Sequence, residues 1–262
     1  MSYPKKSLGQ NFLSDNNIIK KIVNLTEISN RNILEIGPGK GALTDEILKR
    51  NPKSLWLIEK DSLISQDLKK KYKLNKKVKV FNQDVLNFDI EKKIREKTII
   101  FGNLPYNISS QILVKIIKFH SWPPEYTDVV FMFQKEMADR IIGKFNTTKY
   151  GRLSIITNYR LKIFHKFNVS PNCFFPKPRV NSTVILFKPK KNISNNIKKL
   201  ENLEKITNIF FSNKRKMINK SMKKIFNKDI YKGVVKNIDL KCRPSDLKPE
   251  KYYEITELFE NI

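Results

Sequence analysis

The chain has 262 residues, of which 40% are hydrophobic and 11% aromatic. This composition supports a sizeable folded core and excludes an intrinsically disordered chain. Fifty-two Lys and Arg residues against 25 Asp and Glu leave a formal net charge of +27, which favours a polyanionic partner, nucleic acid first and an anionic membrane surface second.

Short apolar segments alternate with longer amphipathic ones through the first 190 residues. The predicted strands lie at 32–36, 54–59, 78–81, 98–101 and 129–133, with predicted helices at 42–50 and 63–72. Strands that alternate with helices predict a mostly parallel sheet covered on both faces. Two later strands, 161–169 and 183–187, flank a proline-rich loop and predict an antiparallel hairpin at the end of the sheet.

The sequence turns polar at 188–192, which predicts a linker. Every later segment has helical periodicity, with predicted helices at 197–211, 214–226, 230–237 and 251–259. We therefore predict an α/β domain over 1–190 and a small all-helical domain over 191–262.

The positive charge is concentrated in two stretches without acidic residues. Residues 140–200 contain 14 Lys or Arg and no Asp or Glu, and residues 212–228 repeat this pattern. Part of the Lys excess fits a general bias toward Lys and Asn, but bias alone scatters Lys among acids, as between Glu59 and Glu96. The acid-free stretches instead predict surfaces that contact phosphates, with the C-terminal candidates Lys214, Arg215, Lys216 and Lys220.

The two cysteines, Cys173 and Cys242, are far apart and have no metal-ligand spacing. They predict free thiols in a reducing cytosol and no metal site. The N-terminus lacks an apolar signal core, and no run of about 18 apolar residues occurs, so we expect a cytoplasmic protein that does not span a membrane.

A glycine-rich turn, Gly37-Pro38-Gly39-Lys40-Gly41, follows the first predicted strand and opens a helix. Glycines at alternate positions allow a sharp turn and close approach of a ligand.

Two acidic residues follow the next strands. Glu59 ends the second strand, where its carboxylate can accept from ribose hydroxyls, and Asp84 follows the third, where it can accept from an adenine amine. The carboxyl ends of successive parallel strands converge on one crevice. A dinucleotide enzyme is the rival interpretation, but its G-x-G-x-x-G pattern places the third glycine one position later than Gly41.

The tetrapeptide Asn103-Leu104-Pro105-Tyr106 directly follows the predicted strand at 98–101. The exocyclic amine of adenine is a poor nucleophile because its lone pair is delocalised into the ring. If the Asn103 side-chain oxygen and the Leu104 carbonyl accept hydrogen bonds from the amine outside the base plane, its lone pair becomes available, while Tyr106 offers a face for stacking. The pattern predicts adenine N-methylation with S-adenosylmethionine as the methyl donor.

The segment 174–179 (Phe-Phe-Pro-Lys-Pro-Arg) lies in the proline-rich loop. Its prolines stiffen the loop, so an exposed ring of Phe174 or Phe175 could be held ready to stack on the target base, while Lys177 and Arg179 meet phosphates. The alternative is that either ring is a core anchor.

Together these segments resemble the KsgA family of ribosomal RNA adenine dimethyltransferases. The resemblance covers nearly the whole chain and rests on several motifs in order: SLGQNFL at 7–13, EIGPGKGALT at 35–44, NLPYNISS at 103–110, YGRLS at 150–154, FFPKPRVNS at 174–182 and Arg243-Pro244.

The resemblance implies further site residues. By it, Asn11 and Leu13 close over the methionine part of S-adenosylmethionine, Gly37 lies beside it, and Asn103 also touches it. It favours Phe174 over Phe175 as the stacking aromatic. It also implies a Rossmann-like class I methyltransferase sheet.

The implied substrate is a pair of adjacent adenines in the 3′-terminal hairpin loop of small-subunit (16S) rRNA. Each is dimethylated within the assembling small ribosomal subunit, by an enzyme expected to be a monomer. Two alternatives stay open: a 23S rRNA methyltransferase of the macrolide-resistance type, and a non-catalytic assembly factor.

Overall fold

The structure is a computed structural model that describes residues 10–193, 196–226 and 238–261. Its strands are β1 (Phe12–Leu13), β2 (Asn32–Ile36), β3 (Ser54–Glu59), β4 (Val78–Asn82), β5 (Thr98–Asn103), β6 (Tyr126–Gln134), β7 (Leu161–Val169), β8 (Phe174–Phe175) and β9 (Ser182–Pro189). Its helices are α1 (Asn16–Val23), α2 (Ala42–Leu48), α3 (Ser62–Lys71), α4 (Ile90–Lys93), α5 (Ser109–Ile117), α6 (Lys135–Ile141), α7 (Arg152–Arg160), α8 (Leu200–Phe211), α9 (Asn219–Ile225) and α10 (Pro249–Glu260). No helix in the described part of the chain is long and apolar enough to cross a bilayer.

Seven strands form one sheet in the order β4-β3-β2-β5-β6-β9-β7. The pairs from β4 to β6 are parallel, and β9 runs antiparallel to β6. The predicted Rossmann-like sheet with a closing antiparallel strand is therefore confirmed. The strand order reverses between β2 and β5, and ligands of such sheets bind outside the carboxyl ends of the strands at this point.

The central strands are buried on both faces, as their continuous apolar runs predict. Ile33 pairs with Ile99 and Ile36 with Gly102 across β2 and β5. This register brings the carboxyl end of β2, which leads into Gly37, next to the carboxyl end of β5 at Asn103.

A second, two-stranded sheet joins distant parts of the chain. β1 pairs antiparallel with β8, so that Phe12 lies opposite Phe175 and Leu13 opposite Phe174. A strand of two residues is too short to give a periodicity signal, so this pairing could not be predicted from the sequence.

The chain divides into two compact units, one of residues 1–138 and 162–189 and the other of 139–161 and 190–262. The prediction placed all of 1–190 in the first domain, whereas the structure groups 139–161 with the C-terminal helices. The reason is packing within the second unit. The buried Tyr150 hydroxyl donates to the Leu247 carbonyl at 2.9 Å, and the Tyr253 hydroxyl donates to the Ile155 carbonyl at 3.0 Å.

The predicted helix 214–226 begins later, at Asn219, and residues 212–218 form a turn instead. The predicted helix 230–237 lies outside the described residues.

Candidate active site

A cavity of about 380 Å³ opens at the carboxyl ends of β2, β3, β4 and β5, within the first unit. This volume falls in the range typical of small-molecule sites. The cavity brings together the predicted site residues of the α/β domain except Phe174, Lys177 and Arg179; those that line it are Asn11, Leu13, Gly37, Gly39, Glu59, Asp84, Asn103, Leu104 and Tyr106.

The glycine turn forms one wall of the cavity. Gly37, Gly39 and Gly41 all have positive φ values, of 67°, 53° and 84°, which side chains other than glycine rarely adopt. A Cβ on Gly39 would lie 2.7 Å from the ring of Phe12. The absence of a side chain at Gly39 therefore lets β1 lie directly on the turn.

Glu59 is buried, and its carboxylate accepts two backbone N–H bonds. Oε2 accepts from Gly39 at 3.3 Å, and Oε1 accepts from Asp61 at 2.9 Å. Burial raises the pKa of Glu59 above its usual range, and the two backbone hydrogen bonds oppose that rise. The same carboxylate fixes the glycine turn and faces the cavity, as expected of a group that accepts from ribose hydroxyls.

Glu59→Gln is expected to weaken binding of S-adenosylhomocysteine by about 10- to 100-fold, the loss typical of a hydrogen bond to a charged group. The amide cannot accept at both ends, so one backbone N–H or one ribose hydroxyl loses its partner. Isothermal titration calorimetry measures the affinity.

The matched control for this change is Glu96→Gln, which removes one negative charge from an exposed side chain. Equal affinity losses in the two variants would show that net charge matters and that Glu59 has no specific contact.

Asp84 also lines the cavity. Its Oδ2 forms an ion pair with Lys60 Nζ at 2.8 Å, and its Oδ1 accepts from the Leu86 N–H at 2.9 Å. The Lys60 ammonium, followed by the Leu86 hydrogen bond, lowers the pKa of Asp84. The side chain is therefore held ionised and in place as an acceptor.

Glu35 is a buried carboxyl group at the cavity that the sequence analysis did not single out. It is the next-to-last residue of β2. Its Oε2 accepts a hydrogen bond from the Thr44 hydroxyl at 2.6 Å. Burial, only partly offset by this hydrogen bond, raises the pKa of Glu35 from 4.5 to about 8. A carboxyl inside an apolar strand next to a glycine turn was the available sequence signal.

Stability is expected to fall as pH rises from 4.5 to about 8, because the folded chain keeps the Glu35 proton that the unfolded chain releases. Glu35→Gln removes this contribution, so the variant should gain stability over the wild type across this pH interval. Urea denaturation at several pH values measures the difference. Parallel stability curves for the two proteins would contradict a buried, protonated Glu35.

The loop after β5 positions the predicted catalytic groups. The Asn103 side-chain nitrogen donates to the Asn11 carbonyl at 3.1 Å. This hydrogen bond orients the amide so that its oxygen points away from the Asn11 carbonyl. Leu104 is buried, and the half-buried Tyr106 shares a 2.8 Å hydrogen bond between its hydroxyl and that of Ser182 in β9. Neither contact could be predicted from the sequence, because the partners Asn11 and Ser182 lie 92 and 76 residues away.

The two phenylalanines of β8 have opposite environments. Phe174 is 4% exposed and belongs to the core cluster with Leu13, whereas Phe175 is 63% exposed and lines the cavity. Successive residues of a strand point to opposite faces, so only one ring of the pair can face the cavity. The structure therefore differs from the prediction that Phe174 presents its ring to the base.

The predicted phosphate-binding residues are exposed, at Lys177, Arg179, Arg215, Lys216 and Lys220.

Lys214 is also exposed, but its Nζ donates to the Thr148 and Tyr150 carbonyls at 3.1 and 3.2 Å. This contact stabilises the fold of the second unit, a role that the sequence did not indicate. No group of three His, Cys, Asp or Glu side chains that could hold a metal occurs among the described residues.

Comparison with known proteins identifies the family. The profile described as ribosomal RNA adenine dimethylase matches residues 1–261. The chain belongs to this family, and its methyl donor is S-adenosylmethionine. The cavity fits that donor, since the glycine turn leaves room for close approach and the carboxylates of Glu59 and Asp84 line the cavity as hydrogen-bond acceptors.

Curated relatives cover almost the whole chain. The chain is 43% identical to the ribosomal RNA small subunit methyltransferase A of Pelagibacter ubique, over 98% of this chain and 97% of the relative. It is 38% identical to the protein of that name from Mycoplasma mobile, over 95% of each chain.

Solved structures agree on the fold. A dimethyladenosine transferase from Plasmodium falciparum is 25% identical with a TM-score of 0.78, covering 95% of this chain and 98% of the other. The 23S rRNA methyltransferase ErmE is 22% identical with a TM-score of 0.68, covering 95% and 100%, and shows the shared fold.

Proposed function

We propose that this protein dimethylates two adjacent adenines in the 3′-terminal hairpin loop of 16S rRNA, within the assembling small ribosomal subunit. The observation that carries the proposal is the convergence of Asn103, Leu104 and Tyr106 with the cofactor-binding groups on one cavity. The choice of the small subunit is supported by the names of the curated relatives, which are small subunit methyltransferases. We further propose that the reaction takes place in the cytoplasm and that the enzyme acts as a monomer.

Catalysis by this chain depends on orientation. The donor supplies an electrophilic methyl group on a sulfonium. The Asn103 side-chain oxygen and the Leu104 carbonyl accept hydrogen bonds from the two N–H groups of the adenine amine outside the plane of the base, so that the nitrogen lone pair becomes available. The hydrogen bond from Asn103 to the Asn11 carbonyl holds that acceptor in place before the substrate arrives.

The aromatic side chains hold the base in the reacting position. Tyr106 is anchored through its hydroxyl to Ser182, which leaves its ring as a stacking surface beside Asn103. Phe175 extends over the same cavity from β8. The methylated ammonium is acidic enough to lose its proton to water, so the mechanism needs no side chain as general base.

Labelled S-adenosylmethionine and unmethylated small ribosomal subunits test the proposal, with the product nucleosides resolved by mass. Dimethyladenosine confined to the 3′-terminal hairpin is the expected product. Methylation of large-subunit RNA instead would keep the mechanism and overturn the substrate. Tight RNA binding without methyl transfer would favour a non-catalytic assembly factor.

The turn at 212–218 is proposed to contact RNA phosphates through Arg215 and Lys216. Changing both to Ala should weaken RNA binding and lower the slope of log affinity against log salt by about 1.4, because each phosphate contact contributes about 0.7 for a single strand. Filter binding at several salt concentrations measures the slope.

Lys214→Ala is the informative companion, since Lys214 holds the Thr148 and Tyr150 carbonyls. We expect it to lower the stability of the second unit. An unchanged salt slope in the Arg215/Lys216 variant would remove this turn from the RNA-binding surface.

A further inference from the structure

The outer edge of the large sheet carries aromatic and basic side chains that the proposed reaction does not use. We call Lys162, Phe164 and Lys166 of β7, with Lys188 of β9, the edge patch. β7 is the last strand in the order of the sheet, and the three β7 side chains are exposed. They occupy alternate positions of the strand, which places them on one face.

Phe164 is the centre of the edge patch. It is 60% exposed, and within the described residues it and Phe175 are the two exposed phenylalanines. Lys188 Nζ lies 4.5 Å from the Phe164 ring centroid and 3.4 Å from Asp128 Oδ1. Lys188 thus contacts both the Asp128 carboxylate and the Phe164 ring, and the cation–π contact restricts the position of the ring. Proteins bind unpaired nucleic-acid bases with exposed rings of this kind next to cationic groups.

The charge around Phe164 favours an anionic partner. β7, β9 and the loop between them lie within residues 140–200, which contain no Asp or Glu. The nearby carboxylate of Asp128 is already paired with Lys188. Lys162 and Lys166 therefore flank an apolar ring with uncompensated positive charge on their own strand, which suits phosphates on either side of a stacked base.

The edge patch is connected to the active site through β9, which contacts both β7 and Tyr106. The Asn168 side chain of β7 accepts a 3.0 Å hydrogen bond from Thr183 of β9, whose neighbour Ser182 holds Tyr106. Phe164 is four residues before Asn168, about 13 Å away along an extended strand. Contact with the edge patch therefore requires RNA that extends beyond the nucleotides bound in the cavity.

We propose that the edge patch is a second RNA-binding surface, which stacks one unpaired base on Phe164 and contacts the flanking phosphates through Lys162 and Lys166. The inference rests on the proposed function for RNA as the substrate, and extends it to nucleotides outside the methylated loop.

Pairing of β7 with a second copy of this chain is the competing use of an outer strand. Charge opposes this pairing, because two copies of β7 side by side bring Lys162 and Lys166 of one copy close to the same two lysines of the other. In a chain of net charge +27, long-range repulsion adds to this local effect.

The test compares Phe164→Ala with Phe164→Trp, using two unmethylated RNAs as probes. One is the 3′-terminal hairpin of small-subunit rRNA alone, and the other is that hairpin with its flanking single strands. We expect Phe164→Ala to weaken binding of the longer RNA about tenfold, with little change for the short hairpin, and Phe164→Trp to restore it. Affinity for S-adenosylhomocysteine should stay at the wild-type value in both variants.

The matched control is Leu63→Ala, which removes another apolar side chain that is 52% exposed, on α3. For charge, Lys162→Ala with Lys166→Ala should lower the salt slope by about 1.4, and Lys69→Ala with Lys70→Ala on α3 should change it less. Equal effects of the edge-patch and α3 variants would overturn the proposal, as would wild-type RNA affinity in Phe164→Ala.

Two further readouts separate the possible failures. If light scattering showed a wild-type dimer that Phe164→Ala converts to a monomer, the edge patch would be an interface between copies and the proposal would be overturned. If the wild type failed to methylate unmethylated small ribosomal subunits, the proposed function would fail, while the Phe164 comparison on RNA binding would still decide the role of the edge patch.

Discussion

Replacing Asn103 with Ala is expected to lower the rate of methyl transfer at saturating donor and RNA by about 100- to 1000-fold, the loss typical of one preorganised hydrogen-bonding group in an active site. The change removes the oxygen that accepts from the adenine amine and the nitrogen that donates to the Asn11 carbonyl. RNA affinity should change little, because most RNA binding energy comes from phosphate contacts away from the cavity. Single-turnover methyl transfer measures the rate.

Asn87→Ala is a suitable control, since Asn87 is exposed and does not line the cavity. A variant at Asn103 that methylates at the wild-type rate would remove Asn103 from the mechanism. If the inactive variant still binds immature small subunits, the protein can also affect assembly by occupancy. Loss of that binding would exclude this second role.

The two phenylalanines of β8 are expected to respond in opposite ways to substitution. Phe174→Ala should lower the free energy of unfolding by about 3–5 kcal/mol, because it empties a buried position in the core cluster. Phe175→Ala should leave stability unchanged and raise the KM for RNA about tenfold, since it removes an exposed ring from the cavity. Urea denaturation and steady-state methyl transfer measure the two effects.

A conservative variant separates packing from base contact at Phe174. Phe174→Leu retains most of the buried apolar volume and should keep both stability and KM near the wild-type values. A large rise in KM in Phe174→Leu without loss of stability would show that Phe174 contacts the base when RNA binds, in the stacking role that the family resemblance implies.

Local sequence signals were sufficient for the fold class and for most of the candidate cavity. Apolar runs and their spacing predict the parallel strands, and the carboxyl ends of such strands meet at one edge of a sheet. Gly37, Glu59, Asp84 and Asn103 each follow or end a predicted strand, so their convergence could be expected without coordinates. The motif order identified the family, which the profile match confirmed.

Contacts between residues distant in the sequence decided the rest. Strand alternation says that Phe174 and Phe175 face opposite ways, but only pairing with β1 shows that Phe174 packs with Leu13 in the core. Lys214 has the sequence context of an RNA-binding residue, and only the folded second unit brings two carbonyls to its ammonium.

The sequence by itself therefore determined the order of the main strands and the chemistry available at their ends, because backbone periodicity and turn geometry are local properties. The tertiary structure alone decided which side chains are buried, as with Glu35, and which are left at an outer strand, as with Phe164. Burial depends on the packing of elements that are far apart in the chain, and local patterns do not specify that packing.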